Sequence, residues 1–209
     1  MSSKKTPKQL LKYLDSKNVD VRCSAARNPN ATPEILLKAL EDEALIVRRY
    51  AAGNSNSTPE IMLKALGNED LIVRTTAAWN PNATPEVLLK AIGDEHHSVR
   101  HNAAGNRNAT PEVLLKALKD ESWIVRISAV DNPNAFPEVL LKAMEDKHHY
   151  VRRSAAMNPN FNKLQLPLKK WLQLVSKGIP VKNVPCWVKK TSEYKTTRIL
   201  NKSAQKNAS

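Results

Sequence analysis

The stretch VRRYAAGNSNSTPEIMLKALGNEDLI, residues 47–72, is followed at once by VRTTAAWNPNATPEVLLKAIGDEHHS, residues 73–98, and the two align without a gap. The Val-Arg pair that opens both recurs at 21, 47, 73, 99, 125 and 151, a fixed period of 26 residues. A Thr-Pro pair, or Phe136-Pro137 in its place, recurs in the same phase from Thr6, and the register holds to about Asn160 without an insertion. Strict self-similarity at such a period is the mark of a stacked-repeat architecture, in which each unit contacts only its neighbours.

Each unit reads as two short helices. Thr32 is placed to cap the first, Pro33 suits the opening helical position where no N–H is needed, and Glu34 puts negative charge at the positive end of the helix dipole. Ile35, Leu36, Leu37, Ala39 and Leu40 spread over a wide arc, so this helix is expected to lie between neighbours. Glu34 and Lys38, with 60/64, 86/90, 112/116 and 138/142, are spaced for solvated i,i+4 pairs. The second helix is expected from about Ala44 to Gly53. An Asn at 28, 54, 80, 106, 132 and 158 closes it, since Asn tolerates the left-handed conformation; a ladder of such Asn can also hold an extended peptide. Helices of about ten residues do not stand alone, so the units must stack.

These motifs resemble two related families. The pattern Asp-x5-Arg followed by Ala-Ala resembles HEAT-type repeats, and VRxxAAxNPNATPEVLLKAL looks closest to the variant leucine-rich repeat. The resemblance covers about residues 6–160. It implies an all-α, right-handed solenoid of six 26-residue two-helix repeats, with one helix set on the concave face. Some variant-family members carry an iron–sulfur cluster on several cysteines; this chain has only Cys23 and Cys186, so no cofactor is carried over. Neither family implies one activity.

Comparing the copies with one another separates two sets of positions. Val47, Ala51, Ala52 and their equivalents hardly vary, and Arg22, Arg48, Arg74, Arg100, Arg126 and Arg152 fall within the same small-residue arc. Six aligned arginines suggest a phosphate ladder, but their position points into the packing between units. The residues six before them, Ser16, Asp42, Asn68, Asp94, Asp120 and Asp146, offer oxygens to an Arg fork within or between units. The opposite arc varies. It carries the candidate partner-binding residues Arg49, Tyr50, Trp79, His97, His101, Trp123, Ile127, Asp131, His149, Tyr150 and Arg153. Outward aromatics and aliphatics beside Arg have the composition of a binding surface, and the near balance of charge favours a protein or peptide over a duplex.

His97 and His101 share a helix face at i,i+4, but no third ligand accompanies them, so no metal site is assigned; His96 and His148 are read as pointing elsewhere. Asp131 and Trp123 on one stripe are the only trace of a glycosylase-like acid and aromatic. Without a phosphate loop, a nucleophile elbow or paired carboxylates, the chain reads as no enzyme. No apolar run reaches the roughly 18 residues a spanning helix needs, and MSSKKTPKQLLKYLD carries no leader-like apolar stretch. A monomer in the reducing cytoplasm is expected, with residues 1–160 as solenoid, 161–177 as a capping helix and 178–209 as a flexible basic tail.

That tail holds the charge. Residues 161–209 contain eleven basic side chains against Glu193, whereas residues 21–160 net to zero in a chain of +13. Lys182, Trp187, Lys189, Lys190, Tyr194, Lys195, Arg198 and Lys202 are the candidates for an anion or nucleic-acid contact, with Trp187 and Tyr194 able to stack on bases.

Overall fold

The Thr-Pro and Val-Arg steps each mark a helix in the computed structural model, which describes residues 5–163, 167–177, 179, 184 and 186–198. The Thr-Pro helices are α1 (Pro7–Leu14), α3 (Pro33–Ala39), α5 (Pro59–Ala65), α7 (Pro85–Ala91), α9 (Pro111–Ala117) and α11 (Pro137–Ala143). The Val-Arg helices are α2 (Val19–Ala26), α4 (Leu45–Gly53), α6 (Leu71–Trp79), α8 (His97–Gly105), α10 (Trp123–Asp131) and α12 (His149–Met157). Every described helix up to Met157 belongs to this alternation, and no strand occurs among the described residues. Even helices pack on even, odd on odd, and each pairs with its partner in the unit. The result is an α-solenoid.

Local chemistry sets the boundaries. Thr6, Thr58, Thr84 and Thr110 accept a hydrogen bond from the third residue of their helices, and Pro occupies the first turn each time. Odd helices bury Ile35, Leu36 and Ala39 or their counterparts. Even helices bury Val47, Ala51 and Ala52 or theirs, and these small side chains let neighbouring even helices approach more closely than odd ones do.

The arginines are structural, and their geometry is more specific than their spacing suggests. Arg100 Nη1 donates to the backbone carbonyls of Asp94 and Glu95 in its own unit. Its Nε and Nη2 reach forward to both oxygens of Asp120, at 2.6 and 3.0 Å. Arg22–Asp42, Arg74–Asp94 and Arg126–Asp146 repeat the arrangement, with arginine and carboxylate buried at all four joints. Each aspartate also takes a backbone N–H on Oδ1: that of Ala44, His96, Ser122 or His148. Residue six before contributes its carbonyl; the side chain that answers the fork lies 20 residues ahead.

The joint after the second unit breaks this rule. Asn68 stands where the others have Asp, and its single side-chain oxygen is spent on the Asp70 N–H. Arg48 keeps its bonds to the Asp42 and Glu43 carbonyls but has only Glu69 at 4.0 Å beyond, and its buried Nε has no hydrogen-bond partner among the described residues. A carboxylate has two oxygens for the two tasks; an amide has one.

The asparagines do not adopt the left-handed cap. Asn54, Asn80, Asn106, Asn132 and Asn158 all lie at negative φ and extended ψ, for example −67° and 140° at Asn54. Their side chains explain them instead. Asn106 Nδ2 donates to the carbonyls of Ala78 and Asn80 in the preceding unit, both at 3.0 Å, and its Oδ1 accepts from the Asn108 N–H. Asn108 then donates to the Pro81 and Ala83 carbonyls. The same double staple joins every later loop to the one before, and the first Asn of each pair is buried. From Asn54 to Asn158 the amides of this row are spent on the preceding loop rather than left to hold a peptide.

The lysine pairs also cross units. Lys38 reaches Asp15 at 2.6 Å and Lys64 reaches Glu41 at 2.7 Å, each 23 residues back. At the following units that position holds Gly67, Gly93 and Lys119. Lys90 accordingly turns to the Leu63 carbonyl, while Lys116 and Lys142 fall back on Glu112 and Glu138, the expected i,i+4 partners.

Beyond α12 a 3₁₀ turn (Pro159–Lys163) leads to α13 (Leu168–Ser176), whose Trp171 is fully buried edge-on to Phe161, with centroids 5.7 Å apart. The expectation of a flexible tail over 178–209 gives way, in its described part, to helix: α14 (Cys186–Lys189) and residues 192–198. Ile179, Val184, Val188 and Tyr194 join the apolar core, which is what orders this segment.

Asn68→Asp is expected to raise stability by about 1 kcal/mol by giving Arg48 its missing acceptor, seen as a higher urea midpoint with unchanged slope. Arg100→Ala should do the reverse, stranding buried Asp120, by about 3 kcal/mol or more. The sign with pH follows from Asp146. Burial pushes its carboxyl up, but the Arg126 fork and the His148 N–H outweigh this and leave the pKa below the ordinary value. Its contribution is complete above the unfolded carboxylate value near 4 and is lost as pH falls through the lowered folded value. Urea midpoints of the parent should thus fall on acidification below that point.

Candidate protein-binding face

Because the repeated polar residues are used between units, the variable positions of the even helices are what remains for the outside. Ile72, Trp79, Trp123, Ile124, Tyr150 and Met157 are exposed although large and apolar, Trp79 most of all at 59%. Single exposed apolar residues are ordinary; a line of them along one helix row is not.

The structure gathers the candidates into two places. Trp123, Ile127, Asp131, Tyr150 and Arg153 line one open cleft of about 560 Å³ between α10 and α12, with Met157 at its edge. Arg49, Trp79 and His101 line a second, smaller depression of about 510 Å³ on α4, α6 and α8. Tyr50 lies beside it, with the guanidinium carbons of Arg27 and Arg49 5.9 and 6.0 Å from its ring centre. His97 and His149 are exposed and stand outside both clefts, stacked on His96 and His148 respectively.

Trp79 lies against a glycine. The position that holds Trp79 in the third unit holds Gly53 and Gly105 in its neighbours. A Cβ on Gly105 would sit 3.6 Å from the Trp79 ring, an ordinary contact, so an alanine there is tolerated. The ring lies across the next helix, and one side chain borders pockets on both sides.

His148, read from the sequence as pointing elsewhere, belongs to the site. Its ring lies parallel to Trp123, centroids 4.5 Å apart at 6°, and 5.5 Å from Tyr150. With His149 this makes a continuous four-ring cluster. On the sequence pattern this position, Ala44 in the second unit, counts as the first residue of the helix on its packed side; in the structure His148 is the extended N-cap residue ahead of α12. His96, its counterpart, instead turns Nδ1 to accept the Ser98 N–H. His148 Nδ1 is buried without a partner, so here stacking replaces the cap.

The polar members are also engaged. Asp131 accepts a short hydrogen bond from the Ser154 hydroxyl, and His101 Nδ1 pairs with the Ser128 hydroxyl. His101 is thereby committed to a neighbouring unit, and no group of three metal-ligating side chains occurs among the described residues. Of the tail candidates, Lys189, Lys190, Lys195 and Arg198 are at least partly exposed, but Tyr194 is buried at 4% exposure, so its ring does not serve as a stacking platform. Lys182, Lys202 and the Trp187 side chain lie outside the described residues.

No protein-family model matches the chain, and no curated protein matches it. Among solved structures it is similar to a leucine-rich repeat variant with a novel repetitive structural motif, at 22% identity over 82% of this chain and 81% of that one, with a TM-score of 0.49. No helix among the described residues is long and apolar enough to cross a membrane.

A double-mutant cycle on Trp123→Ala and His148→Ala should return a coupling of about 1 kcal/mol in urea unfolding, the worth of a stacked aromatic pair. Additive single effects would mean that the two rings are neighbours without interaction.

Proposed function

We propose that the chain is a non-enzymatic repeat scaffold that binds a protein or peptide through the variable face of its even helices. One observation carries this reading: the exposed aromatic and aliphatic side chains of α6, α10 and α12 lie along one row, while the repeat's own polar groups are consumed inside. Aromatic anchors with a charged rim are the usual source of interface energy. Asp131 and Arg153 supply opposite charges at the edge of the Trp123–Tyr150 cleft, which suits a polypeptide better than a uniform polyanion. Free Cys23 and Cys186 fit a reducing compartment such as the cytoplasm.

Peptides selected from a random library on the immobilised chain provide the test. Trp123→Ala should weaken them about thirtyfold, the loss of roughly 2 kcal/mol expected of a buried anchor, whereas Glu86→Ala on the odd row should change nothing. Selected peptides that bind the Trp123→Ala chain as well as the parent would remove the face from consideration.

A further inference from the structure

We infer that the C-terminal segment forms a second surface, separate from the aromatic face, that binds the phosphodiester backbone of nucleic acid. The argument begins with charge. Eleven basic residues against one acidic residue follow Asn160, on a chain whose residues 21–160 are neutral, so ten of the thirteen net positive charges lie in this segment. A charge run of this kind is by itself a solvated tail. The structure adds that it is not one over residues 186–198: Val188 is fully buried, Tyr194 nearly so, and two helical stretches are held by them. Turning the apolar side inward leaves Lys190, Lys195 and Arg198 exposed and Lys189 partly so, with only Glu193 among them. Lys170 and Lys177 are spent on Glu145, whose carboxyl is held below its ordinary range by the Lys177 hydrogen bond and charge, but none of the four outward residues has a carboxylate partner among the described residues.

The same burial chooses among anionic partners. A helix that lies on a membrane must present apolar side chains to the lipid; here, among the described side chains, Val188 and Tyr194 face the core, and the outward neighbours are Ser192 and Thr196. Hydroxyls beside lysines are partners for phosphate oxygens. Tyr194 is not available to stack, so what the described side chains offer is contact with the backbone, which carries no sequence preference. The inference does not depend on the peptide reading.

The test titrates the full chain with fluorescent 20-nucleotide single strands and duplexes, of RNA and of DNA, from 50 to 300 mM salt. A chain with Lys189, Lys190, Lys195 and Arg198 all changed to Gln should lose at least tenfold in affinity at 50 mM salt. Its salt slope should be shallower by about three for duplex DNA, from roughly 0.9 per phosphate contact. Replacing the three lysines by Arg should preserve binding, and Trp123→Ala should leave it untouched; single Lys→Gln variants, each lowering the slope by about one, keep the test readable if the quadruple variant fails to fold. Equal affinity and slope for parent and Gln variants would overturn the proposal. So would binding to phosphatidylserine vesicles at salt concentrations where no oligonucleotide is held, or transfer of the loss to Trp123→Ala.

Discussion

The forward reach of a buried arginine to an aspartate 20 residues later holds the repeats in register. The reach is fixed by what else each group must do. Nη1 is tied to two carbonyls of its own unit, so the remaining nitrogens are aimed in one direction, and the aspartate that meets them is oriented by a backbone N–H. A fork held this way meets a carboxylate at little further cost in side-chain entropy, which is where arginine differs from lysine. The arginines thus form no ligand ladder, and that leaves the variable face as the outward chemistry of the even row. Asparagine does the complementary work backwards, stapling each loop to the previous one.

Much of this was legible in the sequence because repetition multiplies the signal. Six Val-Arg pairs and six Thr-Pro or equivalent steps locate the helices within a residue or so, and the packed arc of Val47, Ala51 and Ala52 places the arginines inside. The partners were harder. Spacing names the right column of acids but leaves open whether an arginine meets its own unit's member, six before it, or the next unit's, 20 ahead; only the folded stack decides for the latter. The same local bias turned the glutamate–lysine spacing into an intrahelical pair, although Lys38 and Lys64 prefer acids of the preceding unit. For asparagine, the residue type suggested a left-handed cap, and two buried carbonyls in the neighbouring loop outweighed that preference.

The candidate face was legible by contrast between variable and repeated positions, which identified Trp79, Trp123 and Tyr150 before any geometry. It could not show that Trp123 and Tyr150 share a cleft while Trp79 lies in another, because that depends on how the units stack in three dimensions. It also misplaced His148, counting as the first residue of the helix what is in fact the extended N-cap ahead of it. In the tail, composition announced the charge but hid the order: among the described residues Ile179, Val184, Val188 and Tyr194 pack a lysine-rich stretch against the core.

The missing carboxylate at Asn68 gives a nominally uniform stack one weak seam. In a one-dimensional array the boundary free energies, more than the units, decide where a break starts. Two repeats lie before the seam and four after it. The first two, α1 to α4, therefore separate as a block, while α5 to α12 stay joined by three intact arginine forks. Hydrogen exchange would see two cooperative blocks where the sequence shows six equal periods. Both aromatic clefts border the larger block, and only the Trp79 depression, which borrows Arg49, straddles the seam. A partner seated there would act as a clamp across the weak joint, while one confined to the Trp123 cleft would leave the chain's opening unchanged.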